Sequence, residues 1–156
     1  MRILIFSDTH GRINSCIEVI RTIPADMVIH AGDCMADAED LQAIFPELPI
    51  HFVRGNNDFC GAKDDIEIEA EGKRIFVTHG HRYRVKTTLE PLKDKGVQGN
   101  YDLIVFGHTH RAWEEYNGKT ILFNPGTMGY PLRTYGVAEI DETGKLRTSI
   151  IEYDRR

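Results

Sequence analysis

Arg2-Ile3-Leu4-Ile5-Phe6 runs directly into Ser7-Asp8-Thr9-His10, an apolar segment closed by polar residues able to bind a metal. The same succession returns four times. Met27-Val28-Ile29 leads past His30 and Ala31 into Gly32-Asp33, and Ile50-His51-Phe52-Val53 leads into Arg54-Gly55-Asn56-Asn57-Asp58. Ile75-Phe76-Val77 leads into Thr78-His79-Gly80-His81, and Leu103-Ile104-Val105-Phe106 into Gly107-His108-Thr109-His110. Short apolar runs rich in β-branched residues, closed by Gly or polar residues, read as buried strands. In open α/β sheets, ligands gather at the carboxyl ends of strands. Five strand ends would thus deliver Asp, Asn and His side chains to one edge.

Between these junctions the first third of the chain reads β-α-β-α-β. Strands cover Arg2 to Phe6, Asp26 to Ile29 and Ile50 to Val53. A helix from about Ile13 to Ile23 places Ile13, Ile17 and Ile20 on one face, with Pro24 beyond its end, and a second runs from about Ala36 to Phe45 before Pro46. This alternation implies parallel strands joined by crossover helices. The remainder favours hairpins. Glu71-Gly72 separates two strand-like runs, Asn117-Gly118 separates Trp113–Tyr116 from Thr120–Phe123, and a turn over Asp141 to Gly144 separates Tyr135–Ile140 from Leu146–Tyr153. A weaker helix covers about Lys86 to Lys95 and ends near Gly96. Together these predict an α/β fold of two packed mixed sheets with helices outside, formed by a single domain over residues 1–156.

Composition narrows the function classes. The chain has 156 residues, 41% apolar and 28% charged, which suits one globular domain with its own core. No apolar run approaches the ~18 residues that would span a bilayer, and the opening apolar stretch is too short for a signal peptide. A cytoplasmic location is the expectation. Three cysteines, Cys16, Cys34 and Cys60, show no CxxC spacing, which fits reduced thiols better than a disulfide frame or a thiolate zinc site. The net charge of -5 argues against a broad nucleic-acid surface. It leaves room for a small phosphorylated substrate held through metal.

Residues two apart on an extended segment project to one side, so Asp8 with His10, and His108 with His110, are expected to reach a metal in pairs. Carboxylate and imidazole suit Mn²⁺, Fe or Zn²⁺. Several His, two Asp and an Asn exceed the needs of one ion, and a bridging Asp33 would let the set hold two. Two-metal sites serve in-line displacement at phosphorus. Each cluster taken singly is ordinary: a His beside a strand is commonly structural, and Gly55-Asn56-Asn57-Asp58 makes a good turn in any protein. The shared position of all five at strand ends is what favours a site. His30 and His51, inside strands, read as structural.

In order and content, Asp8-Thr9-His10, Gly32-Asp33, Gly55-Asn56-Asn57-Asp58, Thr78-His79-Gly80-His81 and Gly107-His108-Thr109-His110 resemble the motifs of the calcineurin-like metallophosphoesterases. The short chain is most similar to the small YfcE-type phosphodiesterase branch, and Asn124-Pro125-Gly126-Thr127 resembles a late loop of that group. The resemblance implies a four-layer αββα sandwich and two divalent ions, Mn²⁺ first, with Ni²⁺, Fe²⁺ or Zn²⁺ as alternatives. Asp8, His10, Asp33 and His110 would hold one ion, and Asp33, Asn56, His79 and His108 the other. The last four would also face the reacting group. Many superfamily members carry His where this chain has Asn57, and Asn donates no proton as a general acid at neutral pH. Asp58 reads as a loop-orienting residue. Arg54, Arg82, Arg111 and Arg133 lie near the motif loops but read as solvated surface groups.

Three functions follow from this reading. The first is hydrolysis of a small phosphodiester by a hydroxide held between two ions. The second is phosphomonoester hydrolysis, which the Asn57 departure disfavours. The third is a catalytically silent scaffold of the same fold, of which the eukaryotic retromer complex contains an example; lost ligands would be its mark, and here all seven positions are filled. A homodimer is expected from the family alone. The dispersed aromatics identify no base-stacking pocket.

Overall fold

Alternation along single strands builds the layers. In the computed structural model, which describes residues 1–59 and 61–154, the chain forms β1 (Arg2–Phe6), α1 (Ile13–Thr22), β2 (Met27–His30), α2 (Met35–Ile44) and β3 (Ile50–Phe52). It continues as β4 (Asp65–Ala70), β5 (Lys73–Thr78), α3 (Glu90–Gly99), β6 (Leu103–Val105), β7 (Trp113–Asn117), β8 (Thr120–Asn124), β9 (Thr134–Ile140) and β10 (Leu146–Glu152). Cys60 lies outside the described residues.

Two five-stranded sheets result, ordered β10-β9-β1-β2-β3 and β4-β5-β6-β8-β7. β1, β2 and β3 are parallel, as are β5, β6 and β8, while the hairpin strands at the edges run antiparallel. Ile3 and Ile5 of β1 face the inter-sheet core with Ile75, Val77, Leu103, Val105 and Phe123. Leu4 and Phe6, one residue out of phase, pack with Cys16, Val19 and Leu41 under α1 and α2. On the second sheet Phe76, Ile104 and Leu122 point outward to Leu92 of α3. A strand buried on both faces needs apolar residues at every position, which is why these runs are continuous rather than alternating. The architecture is the αββα sandwich read from the sequence. Among the described residues no helix is long and apolar enough to cross a membrane.

The third helix differs from expectation. It runs from Glu90 to Gly99, not Lys86 to Lys95, because Pro91 sits in its first turn, where the missing N–H costs nothing. Asn100, left-handed at φ 51°, ends it in place of Gly96. Gly96 lies buried inside the helix, against Thr120. The crossovers place the carboxyl ends of β1, β2, β3, β5 and β6 at one end of the sandwich, where the motif loops meet.

Candidate metal centre

Asp8, His10, Asp33 and His110 each offer a ligand atom, and these four atoms all lie within 4.8 Å of one another. Asp8 and Asp33 are buried, while His10 and His110 are open to solvent. Asp8 follows β1 directly. Its Oδ2 accepts from Ser7 Oγ at 2.6 Å and from the His108 backbone N–H at 3.0 Å. Its Oδ1 is buried without a hydrogen-bond partner among the described residues. His110 Nε2 stands 3.0 Å from that oxygen, outside hydrogen-bond alignment, and 3.4 Å from His10 Nε2.

The second group gathers on the other side of Asp33. His79 Nε2 lies 3.5 Å from Asp33 Oδ1 and 3.1 Å from Asn56 Oδ1. The His79 and His108 ring centroids are 5.0 Å apart. His79 Nδ1 is 2.7 Å from the Ala31 carbonyl oxygen, which can only accept, so Nδ1 carries the proton. In a neutral ring, Nε2 is then a lone pair facing two oxygen acceptors. Mixed imidazole, carboxylate and amide donors brought together in this way suit a borderline divalent ion. The residues present therefore fit a divalent metal.

The expected extended geometry of Asp8–His10 and His108–His110 does not hold. Asp8, His10, Asp33, His108 and His110 all have positive φ, between 46° and 68°. Tight left-handed turns, not the strand pleat, aim these side chains. His110 joins Asp8 and His10, whereas His108 turns toward His79.

Local charge sets the protonation of several groups. Burial pushes the Asp33 carboxyl up, but the His79 charge and two hydrogen bonds from Asn57 outweigh it and hold the group below its ordinary value. Those bonds run from Asn57 N to Asp33 Oδ1 at 3.1 Å and from Asn57 Nδ2 to Oδ2 at 2.7 Å. Burial, helped by the charges of His79 and Lys86, lowers His108 to about 4. Burial likewise lowers His30 to about 4. The His30 ring accepts from Gly32 N–H through Nδ1 and reaches Thr9 Oγ1 through Nε2 at 3.0 Å, away from the cluster. Asp58 accepts from the backbone N–H groups of Met35 and Gly55 at 2.9 and 2.8 Å, a loop-holding geometry. Arg54 and Arg82 both pair with Asp64, and Arg133 lies over the Tyr153 ring at 5.8 Å.

Of the residues that hold these turns, sequence reasoning missed Asp37 and noted Asn124 and Thr127 only as part of a late loop, without a role. Asp37, in the first turn of α2, accepts from Thr9 Oγ1 at 2.6 Å and Gly11 N at 2.8 Å. Thr127 Oγ1 donates to the Asp8 carbonyl at 2.7 Å, and Asn124 Nδ2 to the Gly107 carbonyl at 2.9 Å. An acid in a first helical turn looks like ordinary dipole compensation, so Asp37 carried no separate signal. His81, two residues past His79, stands 6.1 Å from His108 between ring centroids, its buried Nδ1 unpartnered among the described residues.

Residues 1–143 match the family model of the calcineurin-like phosphoesterase superfamily domain. The chain belongs to this superfamily. Among its metallophosphoesterase relatives, the probable metallophosphoesterase YsnB of Bacillus subtilis is 35% identical over 84% of this chain and 77% of its own. Phosphodiesterase MJ0936 of Methanocaldococcus jannaschii is 33% identical over 91% of this chain and 95% of its own. The Zn²⁺ complex of Vps29 from Entamoeba histolytica superposes with a TM-score of 0.75, covering 99% of this chain and 100% of that one. Its 19% identity extends the likeness to the fold alone.

Proposed function

We propose that this metallophosphoesterase is a phosphodiesterase acting on small phosphodiesters at a two-ion centre, with Mn²⁺ as the working ion. The observation that carries the reading is the buried Asp8 Oδ1, without a hydrogen-bond partner among the described residues, amid ligand atoms within 4.8 Å of one another. Asp8, His10, Asp33 and His110 would hold one ion; Asp33, Asn56, His79 and His108 would hold the second, with Asp33 shared. Bound there, divalent ions would neutralise charge developing on phosphoryl oxygens and supply an activated water.

The chain's own groups prepare the site. Ser7 Oγ and the His108 N–H fix Asp8 through Oδ2 and leave Oδ1 free. The Ala31 carbonyl fixes the His79 tautomer and aims its Nε2 lone pair inward. A His108 that titrates at about 4 is neutral at neutral pH and keeps its lone pair. Asn57 holds both Asp33 oxygens and has no proton to give a leaving oxygen at neutral pH. Esters whose leaving groups need no protonation are therefore favoured. The free thiols of Cys16 and Cys34 fit a cytoplasmic setting.

The test is a chromogenic phosphodiester beside a chromogenic phosphomonoester, with chelated protein and with Mn²⁺ or Mg²⁺ added back. Activity is expected only with metal, faster on the diester, and higher with Mn²⁺, because Mg²⁺ prefers oxygen ligands and retains its waters. Turnover by chelated protein in metal-free buffer overturns the metal mechanism. Faster monoester turnover makes the chain a phosphomonoesterase, and no turnover with any ion makes it a scaffold.

A further inference from the structure

The fold collects aromatic and basic groups that lie far apart in the sequence. Beside the His108 loop lies a cleft of about 480 Å³, within the roughly 300–1,000 Å³ typical of small-ligand sites. Val85 and Phe106 are buried at its base, with Leu89 beside them. Trp113 stands at its edge, 51% exposed, with Lys86 and Arg111 also exposed along the rim. The cleft borders the loop that carries two of the proposed ligands: Thr109, which lines it, stands between His108 and His110 in the sequence.

Two features give the cleft a ligand class. The first is charge. Among the described residues no carboxylate lines it, and neither the Lys86 ammonium nor the Arg111 guanidinium has a hydrogen-bond or ion-pair partner. Lys86 is near enough for its charge to act on His108. The second is a held aromatic face. Trp113 Nε1 donates to Glu115 Oε2 at 3.3 Å, and Lys93 Nζ pairs with the same carboxylate at 2.8 Å. The indole edge is fixed and the Glu115 charge is balanced, while the exposed part of the ring remains free to stack.

We propose that this cleft binds the non-reacting arm of the substrate, a flat heteroaromatic ring bearing a further anionic group, so that the substrates are nucleotide-type phosphodiesters. This rests on the phosphodiesterase reading and names its substrate class. An alkyl arm would leave the indole face and both cations unused. A ring over Val85, Leu89 and Phe106, stacked on Trp113, uses the apolar surface, and a second phosphate meets Lys86 and Arg111. The dimensions suit one nucleotide unit rather than a polymer track.

Trp113 is the chain's one tryptophan, so its emission reports on this cleft. Metal-free protein is titrated with adenosine 3′,5′-bisphosphate, with N-acetyltryptophanamide correcting for absorbance. Saturable quenching is expected, with inorganic phosphate giving none. The double variant Lys86→Gln/Arg111→Gln should weaken it at least about tenfold, the loss of one hydrogen bond between charged groups. A flat titration, or one unchanged in the double variant, overturns the cleft. In the Mn²⁺-loaded protein, kcat/KM is compared for the p-nitrophenyl ester of thymidine 3′,5′-bisphosphate and for methyl p-nitrophenyl phosphate. Trp113→Ala should lower the ratio about 5- to 150-fold, chiefly through KM, as expected for one base–aromatic stack. Diester hydrolysis with an unchanged ratio overturns the cleft and leaves the phosphodiesterase reading standing. Saturable, charge-dependent quenching in a protein that cleaves no diester supports the nucleotide cleft and overturns the phosphodiesterase reading.

Discussion

A methyl group added to Gly107 tests how the Asp8 carboxylate is held. An ideal Cβ at Gly107 would overlap Ser7 Oγ and stand 2.8 Å from Asp8 Oδ2 and 3.1 Å from Ser7 Cβ. Ser7 and Asp8 are fully buried, so the hydroxyl cannot swing into solvent. To admit the methyl, Ser7 must rotate and release its 2.6 Å bond to Asp8 Oδ2. A hydrogen bond to a charged group contributes about 1.5–3 kcal/mol, and residual overpacking costs about 1–3 kcal/mol more. Gly107→Ala should therefore cost about 2.5–6 kcal/mol. Ser7→Ala removes only the bond, about 1.5–3 kcal/mol. In the double variant the bond is lost once and the overlap with Oγ is gone, leaving the 2.8 Å contact with Asp8 Oδ2 and the 3.1 Å contact with Ser7 Cβ. The double variant should thus be more stable than the sum of the singles predicts, by about 2 kcal/mol, or about 4–8 °C in Tm for a chain of this size. Urea unfolding of the four metal-free proteins measures the cycle. Additivity within about 0.5 kcal/mol would refute the claim that one shared hydrogen bond links Ser7, Gly107 and Asp8.

Asp33→Asn should remove most bound metal, measured by elemental analysis, because it takes charge from the proposed shared ligand. Asp58→Asn should keep its metal and lose about 1–2 kcal/mol in urea unfolding, since one of its two backbone N–H donors loses its acceptor; the reverse pattern refutes the shared role of Asp33. Across aryl phosphodiesters of graded leaving-group pKa, rates should fall steeply, and Asn57→His should make the slope shallower. An already flat series in the unmodified protein would mean that another group donates the proton. His30 should titrate near 4 by NMR in metal-free protein. An unfolded His near 6.5 takes up its proton first, so this contribution to stability is complete above about pH 6.5 and is lost as pH falls toward 4. A midpoint near 6.5 would mean that the folded ring is solvated.

Continuous apolar runs such as Ile3–Phe6 and Leu103–Val105 made the strands legible, because strands covered on both faces must be apolar throughout. The sheet partners of β9 and β1 were not legible, since an antiparallel pairing over more than a hundred residues leaves no local mark. α3 was misplaced because Gly96 resembles a helix terminus by residue type, whereas its position is set by packing against Thr120. The cleft around Trp113 was invisible for a related reason. Its aromatic, its cations and its apolar base come from the start of β7, from the loop before α3 and from the loop between β6 and β7, and only the tertiary fold makes them neighbours.

For the metal centre, residue identity was legible and conformation was not. Strand periodicity aims alternate residues to one side, but the chain leaves the strand before the first ligand, and five of the seven proposed ligands sit at positive φ. For residues other than Gly such conformations cost about 1–3 kcal/mol each and persist only where surrounding bonds impose them. Here those bonds are visible: Asp8 N–H to the Gly32 carbonyl, Thr127 Oγ1 to the Asp8 carbonyl, and Thr9 Oγ1 to Asp37. Asp and His are among the residues least penalised in the left-handed region, and they are also borderline-metal ligands. The Asp-x-His and His-x-His pairs therefore carry two messages at once, a tight turn and a donor set. The strain held by Thr127, Asp37 and Asn124 is what places the donors before any ion arrives.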